Sequence, residues 1–264
     1  MRTERRRRFR GTLFVTNREQ HERFTVAVTR VPDSRGAGPS FVLVHGLGVS
    51  SRYFRPVATR LAREGAVYLV DLPGYGSAPD PRTPVSLADH ADTVAAFIRD
   101  LRLEDVVLVG HSMGSQVIAT LAERHPELAG ALVLMAPTLE SARRTAARAV
   151  GGLLRDILRE PPAVSWIAFT DYLMRTGLPY LLRQFPLVLD DRLDERIARV
   201  PGRILLMRGT GDVLVSRGWL ERLAGLSGAA AVEVLGPHVV MYTDPDAVAT
   251  AILEHASARD GGRA

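Results

Sequence analysis

From residue 41 onward the chain alternates short β-rich apolar runs with stretches of helical periodicity: FVLVHG, YFRPVATRLAREG, AVYLVDLPG, SLADHADTVAAFIRDLR, DVVLVG, SMGSQVIATLAERHP and ALVLMAP follow in that order. Runs that are apolar at every position need cover on both faces, and helical connections make neighbouring strands parallel. The pattern therefore predicts a mostly parallel sheet with helices on both faces. The alternation resumes after residue 200 with RILLMRG, WLERLAGL, AAVEVLG and DAVATAILEHA. Ahead of it, Leu13–Thr16 and Phe24–Val31, joined through polar NREQHE, read as an antiparallel edge hairpin. No internal repeat and no linker divides the 264 residues, a length that one large domain accommodates.

Thr138–Val200 interrupts the alternation. From Ala142 to Leu158 apolar residues recur at helical spacing (Ala146, Ala149, Leu153 and Ile157), and Pro161-Pro162 stops that helix. WIAFTDYLMRTG, LPYLLRQFPLVL and DDRLDERIARV read as further short helices. Trp166, Phe169, Tyr172, Tyr180 and Phe185 place five of the chain's sixteen aromatics here. Core packing accounts for most aromatics of this kind, but a helical insert at the carboxyl end of a sheet is also where a substrate lid sits. Trp166, Phe169, Tyr172 and Phe185 are taken as candidate pocket residues. The expected division is a basic tail over 1–10, a core over 11–137 and 201–264, and a helical cap over 138–200.

Composition removes several chemistries. There is no cysteine, which excludes disulfides and thiolate sites, and no lysine, which excludes Schiff-base, Ser-Lys and P-loop mechanisms. The net charge of +5 invites a nucleic-acid reading, but six of the 34 basic and one of the 29 acidic residues lie in MRTERRRRFR. The remaining body is formally neutral, so no nucleic-acid partner is expected, and the arginine run reads as a solvated, disordered tail. Arg6-Arg7-Arg8-Phe9 resembles part of a twin-arginine export signal, yet GTLFVTNREQHERF supplies no apolar segment and no cleavage site, leaving the cytoplasm as the default. No run approaches the roughly 18 apolar residues of a membrane span, so stable membrane insertion is not expected.

Gly110-His111-Ser112-Met113-Gly114 follows the apolar run VVLV and opens a helical pattern. Glycines belong there because a strand-to-helix turn of this kind is too tight for flanking side chains, and the turn presents Ser112 Oγ at the carboxyl edge of the sheet. Met113 N–H lies at a helix start, available to an oxyanion. His45-Gly46-Leu47-Gly48 directly follows the first parallel strand, and its Leu47 N–H supplies a second donor facing the same space. The serine needs a base. His111 adjoins Ser112 within the turn, so its side chain diverges from Oγ. His21 and His255 near the termini, and His90 and His125 on helical patterns, read as surface residues, and His45 packs beneath the oxyanion turn. His238, in the loop GPHVVMYTDPD after the last strand, is left as the base. Asp212, which ends the preceding strand in RGTGD, is the favoured orienting acid, with Glu140 after ALVLMAP as its competitor. Asp71, Asp244 and Asp246 read as turn-formers and helix caps.

The order HGLG, DLPGYGSA, GHSMG, RGTGD and a late GPH resembles the α/β-hydrolase superfamily over nearly the whole chain, from about Leu13 to His255. The resemblance implies an eight-stranded sheet, a helical cap inserted after the sixth strand, and a cofactor-free Ser112-His238-Asp212 triad. Members of this fold that dehalogenate or open epoxides carry Asp where Ser112 stands, so the chain is similar instead to esterases, lipases, lactonases, thioesterases and carbon–carbon bond hydrolases. Ser115-Gln116 stands where a second small residue is common, and Pro237 precedes the histidine where Gly or Ala is usual; both positions bear on the pocket wall. The expected activity is hydrolysis of an ester, lactone or thioester of a small hydrophobic acyl substrate by a monomer or homodimer. A carbon–carbon hydrolase or a non-hydrolytic biosynthetic enzyme on the same triad, and a non-enzymatic ligand-binding member, are the alternatives.

Overall fold

The computed structural model describes residues 4–32, 34, 38–137, 151 and 160–258. Nine strands form one mixed sheet: β1 (Arg5–Phe9), β2 (Thr12–His21), β3 (Phe24–Arg30), β4 (Ser40–Val44), β5 (Ala66–Asp71), β6 (Val106–His111), β7 (Ala131–Met135), β8 (Arg203–Gly209) and β9 (Ala230–Val234), in the spatial order β1-β2-β3-β5-β4-β6-β7-β8-β9. From β5 to β9 every pairing is parallel, and β1, β2 and β3 join antiparallel at one edge. The central strands β4 and β7 are buried at every position, as expected for strands covered on both faces.

One core layer lies under α2 (Leu87–Asp100) and α3 (Met113–Arg124), with Phe97, Val117 and Leu121 packed on Val42, Leu108 and Leu134. The other lies under α1 (Arg55–Leu61) and the C-terminal helix Pro245–Ser257, with Val57, Leu61 and Ile252 packed on Phe41, Leu69 and Val133. The start of α2 is set by Ser86, which accepts from the Asp89 N–H while the Asp89 carboxylate accepts from the Ser86 N–H, a reciprocal cap written in the sequence as SLAD. Asp244 caps the last helix in the same spirit by accepting from Ala247 N–H.

Two expectations at the amino-terminal edge are corrected. Residues 5–9 are not a disordered tail: they form β1, in register with β2 from Arg5↔Thr16 to Phe9↔Thr12. The two-residue connection Arg10-Gly11 has positive φ at both positions (46° and 86°), the geometry that matches the twist of a hairpin. Four arginines obscure this strand in the sequence, yet charge is what a solvent-facing edge strand tolerates and uses against further pairing. Among the described residues the sheet therefore has nine strands, not eight. NREQH is likewise not a loop but the second half of β2, where Glu19 reaches back to Arg30 on β3 at 2.5 Å.

Between β7 and β8 the described insert is helical: α4 (Pro162–Asp171), a π-helical turn Tyr172–Thr176, α5 (Leu178–Asp190) and the short turns Leu193–Arg196 and Ile197–Arg199. The helix expected over Ala142–Leu158 lies, apart from Gly151, outside the described residues, as does Glu140. The insert is tied to the core by buried polar contacts. Gln184 Nε2 donates to Val85 O (3.0 Å) while its Oε1 meets His90 Nε2 (3.0 Å), and Tyr180 O–H donates to Pro73 O (2.6 Å). His90 is thus fully buried rather than at the surface, and His21 is also buried, between Glu19 and Asp100.

Candidate active site

Ser112 stands alone between β6 and α3 with φ 53° and ψ −117°, a backbone conformation that a residue with a Cβ holds only where its surroundings over-determine it. The constraint is visible. Ser112 N–H donates to Met135 O on β7 (2.9 Å), and α3 packs so close to β4 that a Cβ at Gly114 would collide with the Val44 carbonyl. Of the residues expected to bear on the pocket wall, Ser115 braces the elbow and Gln116 holds the insert. Ser115 Oγ lies within hydrogen-bond reach of Gly110 O (2.9 Å) and Met135 O (3.0 Å), and Gln116 Nε2 donates to Val188 O of the insert (3.0 Å).

The turn after β4 abuts this elbow: a Cβ on Gly46 would stand 3.2 Å from Ser112 Cβ. His45 shapes the turn from beneath. Leu72 N–H donates to its Nε2 (3.0 Å), so the proton lies on Nδ1 and is donated to Gly46 O (2.7 Å); burial lowers its pKa. Among the described residues neither Leu47 N–H nor Met113 N–H, the first of helix α3, donates to a protein acceptor.

His111 is committed elsewhere. Its Nε2 lies 3.2 Å from the His238 carbonyl, which only accepts, so Nε2 carries the proton and Nδ1 accepts from Tyr53 O–H (2.9 Å). Tyr53 in turn accepts from Gly46 N–H (2.8 Å). The relay runs from the glycine turn through Tyr53 and His111 to the backbone of His238. Burial above all, with the electrostatic influence of the neighbouring His238 ring, pushes the His111 pKa well below 6.5. Neither ring nitrogen is available as a base for the adjacent serine, although the two imidazoles of His111 and His238 lie 4.6 Å apart.

Asp212 and His238 leave the carboxyl ends of β8 and β9. Their loops are zipped together by Thr210 N–H to Val234 O and Gly211 N–H to Gly236 O, both 2.8 Å. His238 Nδ1 lies 2.8 Å from Asp212 Oδ2, while Asp212 Oδ1 accepts from Leu214 and Val215 N–H (2.8 and 3.0 Å). Burial alone would raise the Asp212 pKa, but His238 and these N–H donors outweigh it and hold the group as a carboxylate. A carboxylate cannot donate, so the His238 proton lies on Nδ1 and Nε2 is the basic nitrogen.

The four aromatic residues expected in the pocket separate. Tyr172 packs its ring on the glycine turn, where a Cβ at Gly48 (φ 77°) would overlap it. Phe185 is half-buried on α5. Trp166 and Phe169 stack on each other at 5.8 Å and are 63% and 52% exposed; α4 is apolar on most sides, so its sequence does not show which side faces in. Asp171, wholly buried and not singled out by the sequence, accepts from Ser50 N–H (2.9 Å) and Ser50 Oγ (2.5 Å) and pairs with Arg52 and Arg175, clamping the insert to the turn that carries Leu47. Asp71 supports the same turn through Ser51 N–H and Ser77 N–H, each at 2.8 Å.

Residues 41–251 of the chain match the sequence model of the alpha/beta hydrolase family. The chain belongs to the alpha/beta hydrolase family. It is 32% identical over 120 residues to 2-(acetamidomethylene)succinate hydrolase of Mesorhizobium japonicum, covering 46% of this chain and 42% of that one. It is 37% identical over 102 residues to the pimeloyl-[acyl-carrier protein] methyl ester esterase of Aeromonas hydrophila, covering 38% and 39%. The aligned stretches thus span about two fifths of these relatives' lengths. The crystal structure of E-2-(acetamidomethylene)succinate hydrolase superposes with a TM-score of 0.78 at 25% identity, over 93% of this chain and all of that one. Among the described residues no cluster of His, Asp and Glu could hold a metal ion, and no helix is long and apolar enough to cross a membrane.

Proposed function

We propose that this alpha/beta hydrolase family member is a serine hydrolase that cleaves an ester, lactone or thioester of a small hydrophobic molecule through an acyl-enzyme. The observation that carries the reading is a conformationally strained Ser112 at the strand–helix elbow together with a buried His238, whose carbonyl meets the ring of the adjoining His111 and whose Nδ1 is held by the Asp212 carboxylate. In this reading His238 Nε2 takes the Ser112 hydroxyl proton as Oγ attacks the substrate carbonyl. The resulting oxyanion is met by the Leu47 and Met113 N–H groups, and His238 returns the proton to the departing alcohol or thiol. Water then attacks the acyl-enzyme by the same route, releasing the acid and restoring Ser112. Tyr172 forms one wall, and the insert is the cap over the site.

A fluorophosphonate adduct on intact protein tests the nucleophile: one mass shift is expected in the wild type and none in Ser112→Ala. A panel of aryl esters tests the substrate class. kcat/KM should rise with acyl length, by at most about fourfold per methylene, since each buried methylene contributes about 0.8 kcal/mol. Labelling without turnover of any ester, lactone or thioester would discard the acyl-substrate reading in favour of carbon–carbon bond hydrolysis or a non-hydrolytic reaction on the same residues. Absence of labelling would discard the serine nucleophile itself.

A further inference from the structure

Arg5 of β1 lines a cleft. Strand alternation puts Arg5 and Arg7 on one side, and the register with β2 aligns them with Thr16 and Phe14, so Arg18 lies on the same side two residues beyond Thr16. Arg52, Arg55 and Arg175 approach from other elements. An open cavity of about 560 Å³ is lined by Arg5, Arg18, Arg52 and Arg175, with Ser77 and Thr170 among its hydroxyl-bearing walls.

The cations outnumber the acids that neutralise them. Asp171 pairs with Arg52 and Arg175 from below, and Asp71 is occupied by two N–H groups. Asp80, the only carboxylate among the lining residues described, is already paired with Arg183 at 3.1 Å. Among the described residues the guanidinium groups of Arg5, Arg7 and Arg55 have no hydrogen-bond or ion-pair partner, and Arg55 Nε is buried without one. Arg55 makes a single cation–π contact, with Phe14 at 5.6 Å. Burial lowers its pKa, and repulsion from Arg52, Arg7 and Arg175 lowers it further, which places these groups within electrostatic reach of one another. Among the described residues, six guanidinium groups thus stand against three carboxylates, Asp71, Asp171 and Asp80, the last of them shared with Arg183.

We infer that this cleft is a binding site for a phosphate or pyrophosphate group of a small molecule. Planar guanidinium forks match tetrahedral oxyanions with paired hydrogen bonds, and a multiply charged anion offsets repulsion that a single carboxylate would leave. The four lining arginines converge on a concavity rather than spreading along a strip, which fits a compact ligand. Arg52 follows the turn that carries Leu47, and Thr170 and Arg175 flank Tyr172, so the phosphate belongs either to a remote part of the substrate or to a separate ligand bound beside the active site. The site itself does not rest on the serine-hydrolase reading; only the assignment of its source does.

Calorimetric titration with sodium pyrophosphate at fixed ionic strength is the test, using wild type, Arg5→Ala, whose side chain has no partner to lose among the described residues, and Arg18→Gln. One-site saturable binding is expected, weakened at least about tenfold in each variant, because each removes a charge-assisted contact. No saturable binding, or binding equal in all three proteins, overturns the site. The source is read from one acyl chain presented as its coenzyme A thioester and as its N-acetylcysteamine thioester, which lacks phosphate. A kcat/KM preference for the former that vanishes in Arg5→Ala assigns the phosphate to the substrate. Equal values beside pyrophosphate binding assign it to a separate ligand. If neither thioester turns over, the acyl-substrate reading fails while the titration still decides the site.

Discussion

His238 Nδ1 donates to Asp212 Oδ2 over 2.8 Å across 26 residues of sequence, and both side chains are buried. Asp212→Asn replaces the acceptor with an amide that can present a donor to the ring. It should lower kcat by about three to four orders of magnitude, because the imidazolium loses its counter-charge and the tautomer can invert. A loss below tenfold, measured on a protein with unchanged melting temperature, would move the orienting acid away from Asp212.

The Tyr53 hydroxyl joins Gly46 N–H to His111 Nδ1 in a fully buried setting. Tyr53→Phe leaves both groups unpaired and should lower unfolding free energy by about 1–3 kcal/mol in a urea titration. Because the relay also positions the His238 backbone, kcat should fall by about ten- to a hundredfold, with fluorophosphonate labelling slowed but retained. Wild-type stability and rate together would show that the hydroxyl positions nothing.

Two histidines give stability opposite pH dependences. The Glu19 carboxylate, 3.5 Å from His21, raises the His21 pKa against the effect of burial, and Asp100 at 2.6 Å adds to it. A raised folded-state value means that this contribution is complete below about pH 6.5 and is lost as pH rises through the folded pKa. Burial lowers the His90 pKa to about 4. Between pH 6.5 and 4 the unfolded chain binds this proton and the folded chain does not, so His90 removes on the order of 3 kcal/mol as pH falls across that window. Ring resonances followed by NMR should place His21 above 6.5 and His90 near 4. The reverse order would show that Glu19 and Asp100 do not outweigh burial at His21, or that burial does not govern His90.

Removing residues 1–9 tests the role of β1. Only Phe9 of this strand is partly buried, so the melting temperature should fall by a modest amount, about 2–5 °C, corresponding to roughly 1 kcal/mol in a domain of this size. The larger effect should be association. The ten-residue β2 becomes the edge of the sheet, and light scattering should show concentration-dependent oligomers absent from the full chain. A deletion that is monomeric with unchanged melting temperature would show that the strand is dispensable.

The parallel half of the sheet was legible because local signals agree there. Apolar runs such as Val106–Val109 and Ala131–Met135 admit no solvated face, and glycines mark the turns that follow them. For the same reason Ser112, Asp212 and His238 could be placed at strand ends from order alone. What sequence does not carry is which distant groups share a buried volume. His90 has a helical position like any surface histidine until Gln184, 94 residues away, closes over it. His111 differs from a base only through Tyr53 and the His238 carbonyl. Asp171 is one acid among many until Ser50 and two arginines converge on it. The arginine run, read alone, has every mark of a solvated tail. It becomes a strand because β2 offers an unpaired edge, and its charges acquire neighbours only when that edge meets Arg52 and Arg175, a juxtaposition set by chain topology rather than by any local preference.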